Sequence, residues 1–202
     1  DKKGVSPCRV ACPAGVNAHA YIALISQGKF KEALEVVRKS IPLAGVVGRV
    51  CYHPCESECE RATVDEGLMI RDLKRFVADY EMKIGREKAG PIEITKDERV
   101  AVIGSGPAGL ACAFDLIKNG YRVTVFEKAE KAGGLMRYGI PNFKLPENIV
   151  DTEIEYIKEM GVDIKTGSEV NDISGLFNQG YKAVFLATGA GKNKDLGISG
   201  EA

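Results

Sequence analysis

The first ninety residues carry apolar side chains at helical spacing. Tyr21, Ile22, Leu24 and Ile25 give AHAYIALISQG an apolar face, and Asn17 can cap it. A second run follows Gly28, with Phe30, Ala33, Leu34, Val36 and Val37, and Pro42 ends it. Ile70, Leu73, Phe76, Val77, Tyr80 and Ile84 predict a third, longer helix over MIRDLKRFVADYEMKI. The charged stretch GREKAGPIEITKDE, broken by Gly and Pro, reads as a solvated linker. From about residue 98 the pattern changes. RVAVIG predicts a short apolar strand, SGPAGLACAFDLIKNG a helix ending at Gly120, and YRVTVFEK a second strand. Later, IVDTEIEYIKEMG predicts an amphipathic helix and YKAVFLATG another buried strand. A strand–helix–strand order implies a parallel sheet. The chain therefore divides near Gly90, with residues 1–90 helical and residues 91–202 α/β.

Composition narrows the class. At 202 residues the chain holds one or two domains, and 45% hydrophobic residues suffice for a core. Lys+Arg and Asp+Glu both total 28, so there is no electrostatic footprint for nucleic acid or an anionic membrane. No apolar run reaches transmembrane length, so no membrane insertion is expected. DKKGVSPCRV has no apolar stretch behind its charges and does not read as a signal peptide. A cytoplasmic protein is expected. The chain starts at Asp1 and its pattern looks unfinished at GISGEA, which suggests a piece of a longer polypeptide.

Six cysteines change the picture: Cys8, Cys12, Cys51, Cys55, Cys59 and Cys112. Five lie within the first 59 residues, and GRVCYHPCESECER sets three of them four residues apart. Clustered cysteines in a chain without a targeting segment point to metal rather than disulfides. Soft thiolate donors suit an iron–sulfur cluster. Zinc is the competing reading, because five thiols with His53 could supply a tetrahedral site. Pro54 argues for a looped cage over a continuous helix. Cys112 stands apart in AGLACAFDLI and reads as a small buried side chain. His19 reads as solvated, and His53 as a packing or hydrogen-bonding neighbour of the metal. No Ser-His-Asp arrangement is present, and no catalytic side chain is singled out.

The turn between the first strand and its helix is GSGPAG, comprising Gly104, Ser105, Gly106, Pro107, Ala108 and Gly109. Gly104 permits the tight turn, Gly106 the approach of a pyrophosphate, and Gly109 close packing of helix on strand. The helix N-terminus then faces the phosphates. Glu127, followed by Lys128, ends the next strand where a carboxylate accepts ribose hydroxyls. The fingerprint alone fits NAD or FAD. The Gly pair and loop-like stretch after Glu127, KAEKAGGLMRYGIPNFKLP, lean to FAD. So does the late strand ending in Ala187, Thr188 and Gly189, small residues that a cofactor can pass closely.

Together, GRVCYHPCESEC, IRDLKRFVADYE, AVIGSGPAGL, GGLMRYGIPNFKLP and FLATGA resemble one family over nearly the whole chain. It is that of the glutamate synthase small subunit and the N-terminal region of dihydropyrimidine dehydrogenase. The resemblance implies an α + α/β fold. An all-α iron–sulfur domain, ferredoxin-like in function, precedes a partial Rossmann-like FAD-binding domain. An NAD(P)H domain and the rest of the FAD domain would belong to the full-length protein. It further implies that Cys12, Cys51 and Cys55 share one 4Fe-4S cluster, with Cys8 or Cys59 as fourth ligand. Gly134, Leu135 and Lys144 would line the FAD path, and Val170 the adenine side. Two-cluster relatives have further cysteines near the positions of Lys2 and Lys3, and some use Gln or Glu near the position of Lys74. Both departures favour one cluster here.

The function implied is an iron–sulfur flavoprotein that moves electrons between NAD(P)H, FAD and a 4Fe-4S cluster, to or from a partner subunit or domain. Without its nicotinamide domain, the fragment is expected to be inactive with NAD(P)H. The alternatives are a zinc-stapled helical docking module on a nucleotide-binding scaffold, and a zinc-containing NAD dehydrogenase.

Overall fold

The structure, a computed structural model, describes residues 4–190 and 197–200. Lys2, Lys3 and part of the tail after Ala190 lie outside the described residues. The helical part contains α1 (Pro7–Val10), α2 (Ala18–Ser26), α3 (Phe30–Arg38), α4 (Ala44–Val50), α5 (Pro54–Ser57) and α6 (Ile70–Ile84). The α/β part contains β1 (Arg99–Ile103), α7 (Pro107–Lys118), β2 (Arg122–Phe126), α8 (Leu135–Tyr138), α9 (Glu147–Glu159), β3 (Asp163–Lys165), α10 (Ile173–Asn178) and β4 (Tyr181–Leu186).

The three long helices of the first part form where the apolar spacing predicts them. Asn17 caps α2 by accepting from the Ala20 N–H at 3.2 Å. The core of this part gathers Tyr21, Ala33, Leu34, Val37, Ile70, Val77 and Ala78. Phe30 meets Phe76 and Tyr80 edge-on, with centroids 5.1 and 4.8 Å apart. The short helices α1, α4 and α5, which carry or adjoin the cysteines, lack enough periodicity to be read from sequence.

The second part is a four-stranded parallel sheet in the order β3-β2-β1-β4. Alternation along β1 sends Val102 toward α7 and α9, and Ala101 and Ile103 toward Leu176 of α10. Three sequence expectations need correction. First, YKAVFLATG is no buried strand. β4 is the sheet's edge, with Phe185 41% and Leu186 57% exposed, because among the described residues it pairs only with β1. Second, GGLMRYGIPNFKLP is not purely loop, since Leu135–Tyr138 closes a turn of helix. Third, Cys112 is half-buried against the core edge, not enclosed.

The linker is also more than a solvated strap. It has no regular element from Arg86 to Glu98, yet Ala89 N–H donates to Glu159, Ile92 N–H to Met160 O, and Thr95 and Lys96 N–H to Gly120 O. Gly120 is needed there: its φ is +82°, and a methyl on it would lie 2.1 Å from Thr95 Oγ1. The two parts share a core, because Leu43 and Val46 beside and within α4 join Ile149, Val150 and Ile154 of α9. Glu153, 2% exposed, accepts the Gly45 N–H at 2.9 Å across this contact. Arg38 binds both oxygens of Glu81 at 2.8 and 2.7 Å and stacks over Tyr156, 4.2 Å from the ring centroid.

Candidate functional site

Tertiary packing brings the cysteine segments together. α1 lies against α5, and both Cys8 and Cys55 are buried in the helical core, with Cys12 packed beside them. The chain turns sharply between Cys51 and Cys55. His53 takes φ 50°, a left-handed conformation uncommon for a non-glycine residue but commoner for His than for most. The turn aims the His53 N–H back at Cys51 Sγ, 3.3 Å away, and places Pro54 at the start of α5. The Leu68 N–H likewise approaches Cys59 Sγ at 3.5 Å, and the Cys8 thiol lies 3.3 Å from Ser6 Oγ. N–H groups directed at sulfur favour thiolate, and such hydrogen bonds help set a cluster's potential. All six cysteines are free.

The electrostatics show which thiols are neighbours. Burial pushes the Cys55 thiol up, with Cys12, Glu56 and Cys51 adding to the shift and Lys74 opposing it. Burial also pushes the Tyr21 hydroxyl well up, helped by Cys55, Cys8 and Cys12. Tyr21 instead donates to Ile70 O at 2.7 Å. Lys74 is held below the usual lysine range by burial, against the pull of Cys51, Cys12 and Cys55. Cys12, Cys51, Cys55 and Lys74 thus form one neighbourhood, a grouping that linear spacing does not reveal for the lysine. Cys8 and Cys59 line a shared small cavity with His19 and Ile70. Among the described residues no three His, Cys, Asp or Glu side chains converge closely enough for a single metal ion. His53 Nδ1 lies 3.0 Å from Glu56 Oε2. The donor set is soft sulfur, of the kind that iron–sulfur clusters take.

The glycine turn is built as the fingerprint requires. Gly104 has φ +103°, and a methyl there would lie 2.3 Å from Ala187 O. A methyl on Gly109 would lie 1.9 Å from Gly104 O, so helix α7 sits hard on the turn. A methyl on Gly106 would meet nothing within 4 Å, and the space before the α7 N-terminus is open for a phosphate. That opening is the fit this chain offers a dinucleotide.

Glu127 is held within the protein by three hydrogen bonds. Its Oε2 accepts from the Ser105 N–H at 2.9 Å and from Ser105 Oγ at 2.5 Å, and its Oε1 accepts from the Ala129 N–H at 2.8 Å. Burial opposes its charge, but these hydrogen bonds prevail and hold the carboxyl below the ordinary range. Oε1 keeps capacity for a further donor. Ser105 Oγ also accepts the Gly133 N–H at 3.0 Å, which ties the second glycine pair to the turn. Gly134, at φ +51°, crosses so close that a methyl would lie 2.8 Å from Gly106 Cα. Of the other expected residues, Pro107 and Ala108 open α7 on its exposed side. Lys128, Leu135, Lys144, Thr188 and Gly189 are exposed. Ala187 extends the β1–β4 pairing by donating to Ile103 O at 2.8 Å. Val170 packs on the opposite face with Leu176 and Tyr181.

Comparison with known proteins agrees with both halves. Residues 98–202 match the pyridine nucleotide-disulphide oxidoreductase model. The chain belongs to that family. Residues 3–86 match dihydropyrimidine dehydrogenase domain II, described as a 4Fe-4S cluster domain. The chain is similar to the NADP(+)-dependent formate dehydrogenase subunit beta of Moorella thermoacetica, at 43% identity over 97% of this chain and 31% of that protein. It is 39% identical to the NADPH-Fe(3+) oxidoreductase subunit beta of Geobacter sulfurreducens, over 98% of this chain and 30% of the relative. It is 40% identical to the glutamate synthase [NADPH] small chain of Bacillus subtilis, over 88% and 36%. The chain therefore spans about a third of the length of these relatives. The resemblance read from the sequence, the α + α/β fold and the two cofactors, a 4Fe-4S cluster and FAD, accord with these matches. No helix among the described residues is long and apolar enough to cross a membrane.

Proposed function

We propose that this chain is the iron–sulfur and FAD-binding part of an NAD(P)H-dependent oxidoreductase that exchanges electrons with a partner subunit or domain. The observation that carries the reading is the shared core of the two parts: the helical part is not a loose appendage, because α4, whose end leads directly into Cys51, is packed on α9 of the glycine-turn domain. A flavin takes the two electrons of a hydride from nicotinamide and gives them up singly to an iron–sulfur centre. In this chain Cys12, Cys51 and Cys55, with Cys8 or Cys59, hold the cluster. The His53 turn orients Cys51. The Gly104–Gly109 turn cradles the pyrophosphate, and Glu127 stiffens that turn through Ser105 while offering Oε1 to the ribose. Gly134, Leu135, Lys144 and Val170 line the remainder of the flavin path, and Ala187 to Gly189 border it. We place the division between parts near residue 90.

Anaerobic purification of the intact protein tests the reading. The expected result is about four iron and four sulfide per chain, broad visible absorbance, and structured flavin bands released with FAD on denaturation. Stoichiometric zinc with no iron would overturn it.

A further inference from the structure

Lys74 is 5% exposed, in the buried stripe of α6 with Ile70, Val77 and Ala78. Lysine is almost never so buried without a counter-charge. The other buried cation of the helical part, Arg38, has Glu81 as its partner. Among the described residues no carboxylate forms an ion pair with Lys74. Its stripe faces the thiols: Ile70, Val77 and Ala78 share one buried cluster with Cys8 and Cys55, and Cys12 packs against it.

The packing around it is specific. Ile70, one helical turn before it, takes the Tyr21 hydroxyl on its carbonyl at 2.7 Å. The Arg71 N–H is held by Glu56 Oε1 at 2.7 Å, which fixes α5 and Cys55 to this turn. On the other side, a methyl on Gly48 would lie 2.9 Å from Arg75 Cα, so the end of α4 leading to Cys51 is pressed against the next residue. Both thiol-bearing segments are thus strapped to residues flanking Lys74.

We infer that Lys74 is the buried counter-cation of the cysteine cage, an ammonium that touches no iron but offsets the cage's negative charge and raises the reduction potential of the cluster held there. The inference rests on the cluster reading above. A cluster ligated by cysteinates carries net negative charge, and taking up one electron adds another. An ammonium beside it in a poorly solvated interior favours that electron's arrival by Coulomb attraction.

The test is a mediated redox titration of the cluster by electron paramagnetic resonance, with dithionite as reductant, in the intact protein and its Lys74→Met, Lys74→Gln and Lys74→Arg variants. Iron and sulfide are counted in each. In the neutral variants the one-electron equilibrium should move against the reduced form by roughly tenfold or more. That is a fall of about 59 mV per tenfold. Lys74→Arg should stay near the wild-type potential. Wild type without iron and sulfide would remove the cluster reading itself. An iron-loaded wild type whose potential is unchanged in Lys74→Met would leave that reading standing and overturn this one. Should Lys74→Met take up no cluster, the Gln and Arg variants decide. A lowered potential in Gln alone supports the inference, whereas equal potentials in Gln and Arg, or loss of iron from all three, overturn it in favour of a packing or ligating role.

Discussion

Two glycines of the same turn should answer alanine differently. At Gly109 the added methyl meets the Gly104 carbonyl oxygen at 1.9 Å, a backbone atom that cannot move without shifting the turn. Gly109→Ala should therefore lose stability, by about 1–3 kcal/mol, along with FAD. Gly106 has φ −67° and open space before it, so alanine strains nothing in the protein itself. Gly106→Ala should melt within about 0.5 kcal/mol of wild type yet purify with much less FAD. Full flavin occupancy in that variant would show that the phosphates lie elsewhere. Among the thiols, Cys51→Ser or Cys55→Ser should abolish the visible cluster band. Cys112→Ser, on a different helix at the edge of the other core, should leave it intact.

At the scale of elements, the α4–α9 contact carries a titration. Burial pushes the Glu153 carboxyl up to about 7, against the opposing pull of Arg38 and the Gly45 N–H. One of its oxygens, Oε2, has no hydrogen-bond partner, as a protonated or poorly compensated carboxyl would leave it. The folded value lies above the unfolded value of 4.5, so the folded chain binds the extra proton between the two. Stability thus falls as pH rises from about 4.5 to about 7 and levels off above. Glu153→Gln removes the charge and keeps the acceptor for Gly45. Its melting temperature should exceed that of wild type at pH 8, by the equivalent of about 1–3 kcal/mol, and the two should converge near pH 5. Parallel melting curves across that range would exclude this group as the source. A neighbouring pair shows the opposite logic. Arg38 and Glu81 are joined by two hydrogen bonds, so removing either strands a largely buried charge.

For the molecule as a whole, the shared core couples the two parts. Leu43 and Val46 belong to the same cluster as Val102, Leu110 and Ile149, and the strap from Arg86 to Lys96 is hydrogen-bonded to the α/β side. The cluster's visible band and the bound flavin should therefore be lost in a single thermal transition. Leu43→Ala, which empties part of that core at a cost of about 2–5 kcal/mol, should lower both together. Two transitions separated by many degrees, with only one moved by Leu43→Ala, would mean that the parts unfold independently.

Much of this architecture is legible in the linear sequence because its causes are local. The Asn17 cap, the stripe from Ile70 to Ile84 and the Gly104–Gly109 turn each depend on residues a few positions apart, whose backbone preferences and spacing set the outcome. The clustering of cysteines is equally visible and points to a metal centre, with the choice of iron–sulfur over zinc resting on the family resemblance. What tertiary structure alone decides is which of these groups are shut away from water, and with whom. Lys74 shares a helical stripe with Ile70, Val77 and Ala78, and Glu153 with Ile149, Val150 and Ile157, a signal open to the sequence, but a charge's burial is set by the segments that close over it. For Lys74 those are the two cysteine loops, and for Glu153 the end of α4. Ser105 becomes the link between Glu127 and the second glycine pair only when chain 22 and 28 positions further on folds back to it. The apolar run of β4 reads as buried because hydrophobicity does not say how many neighbours a strand has. Its edge position follows from pairing with β1 alone among the described residues. Local preference decides what each segment is, and long-range contact decides what each segment faces.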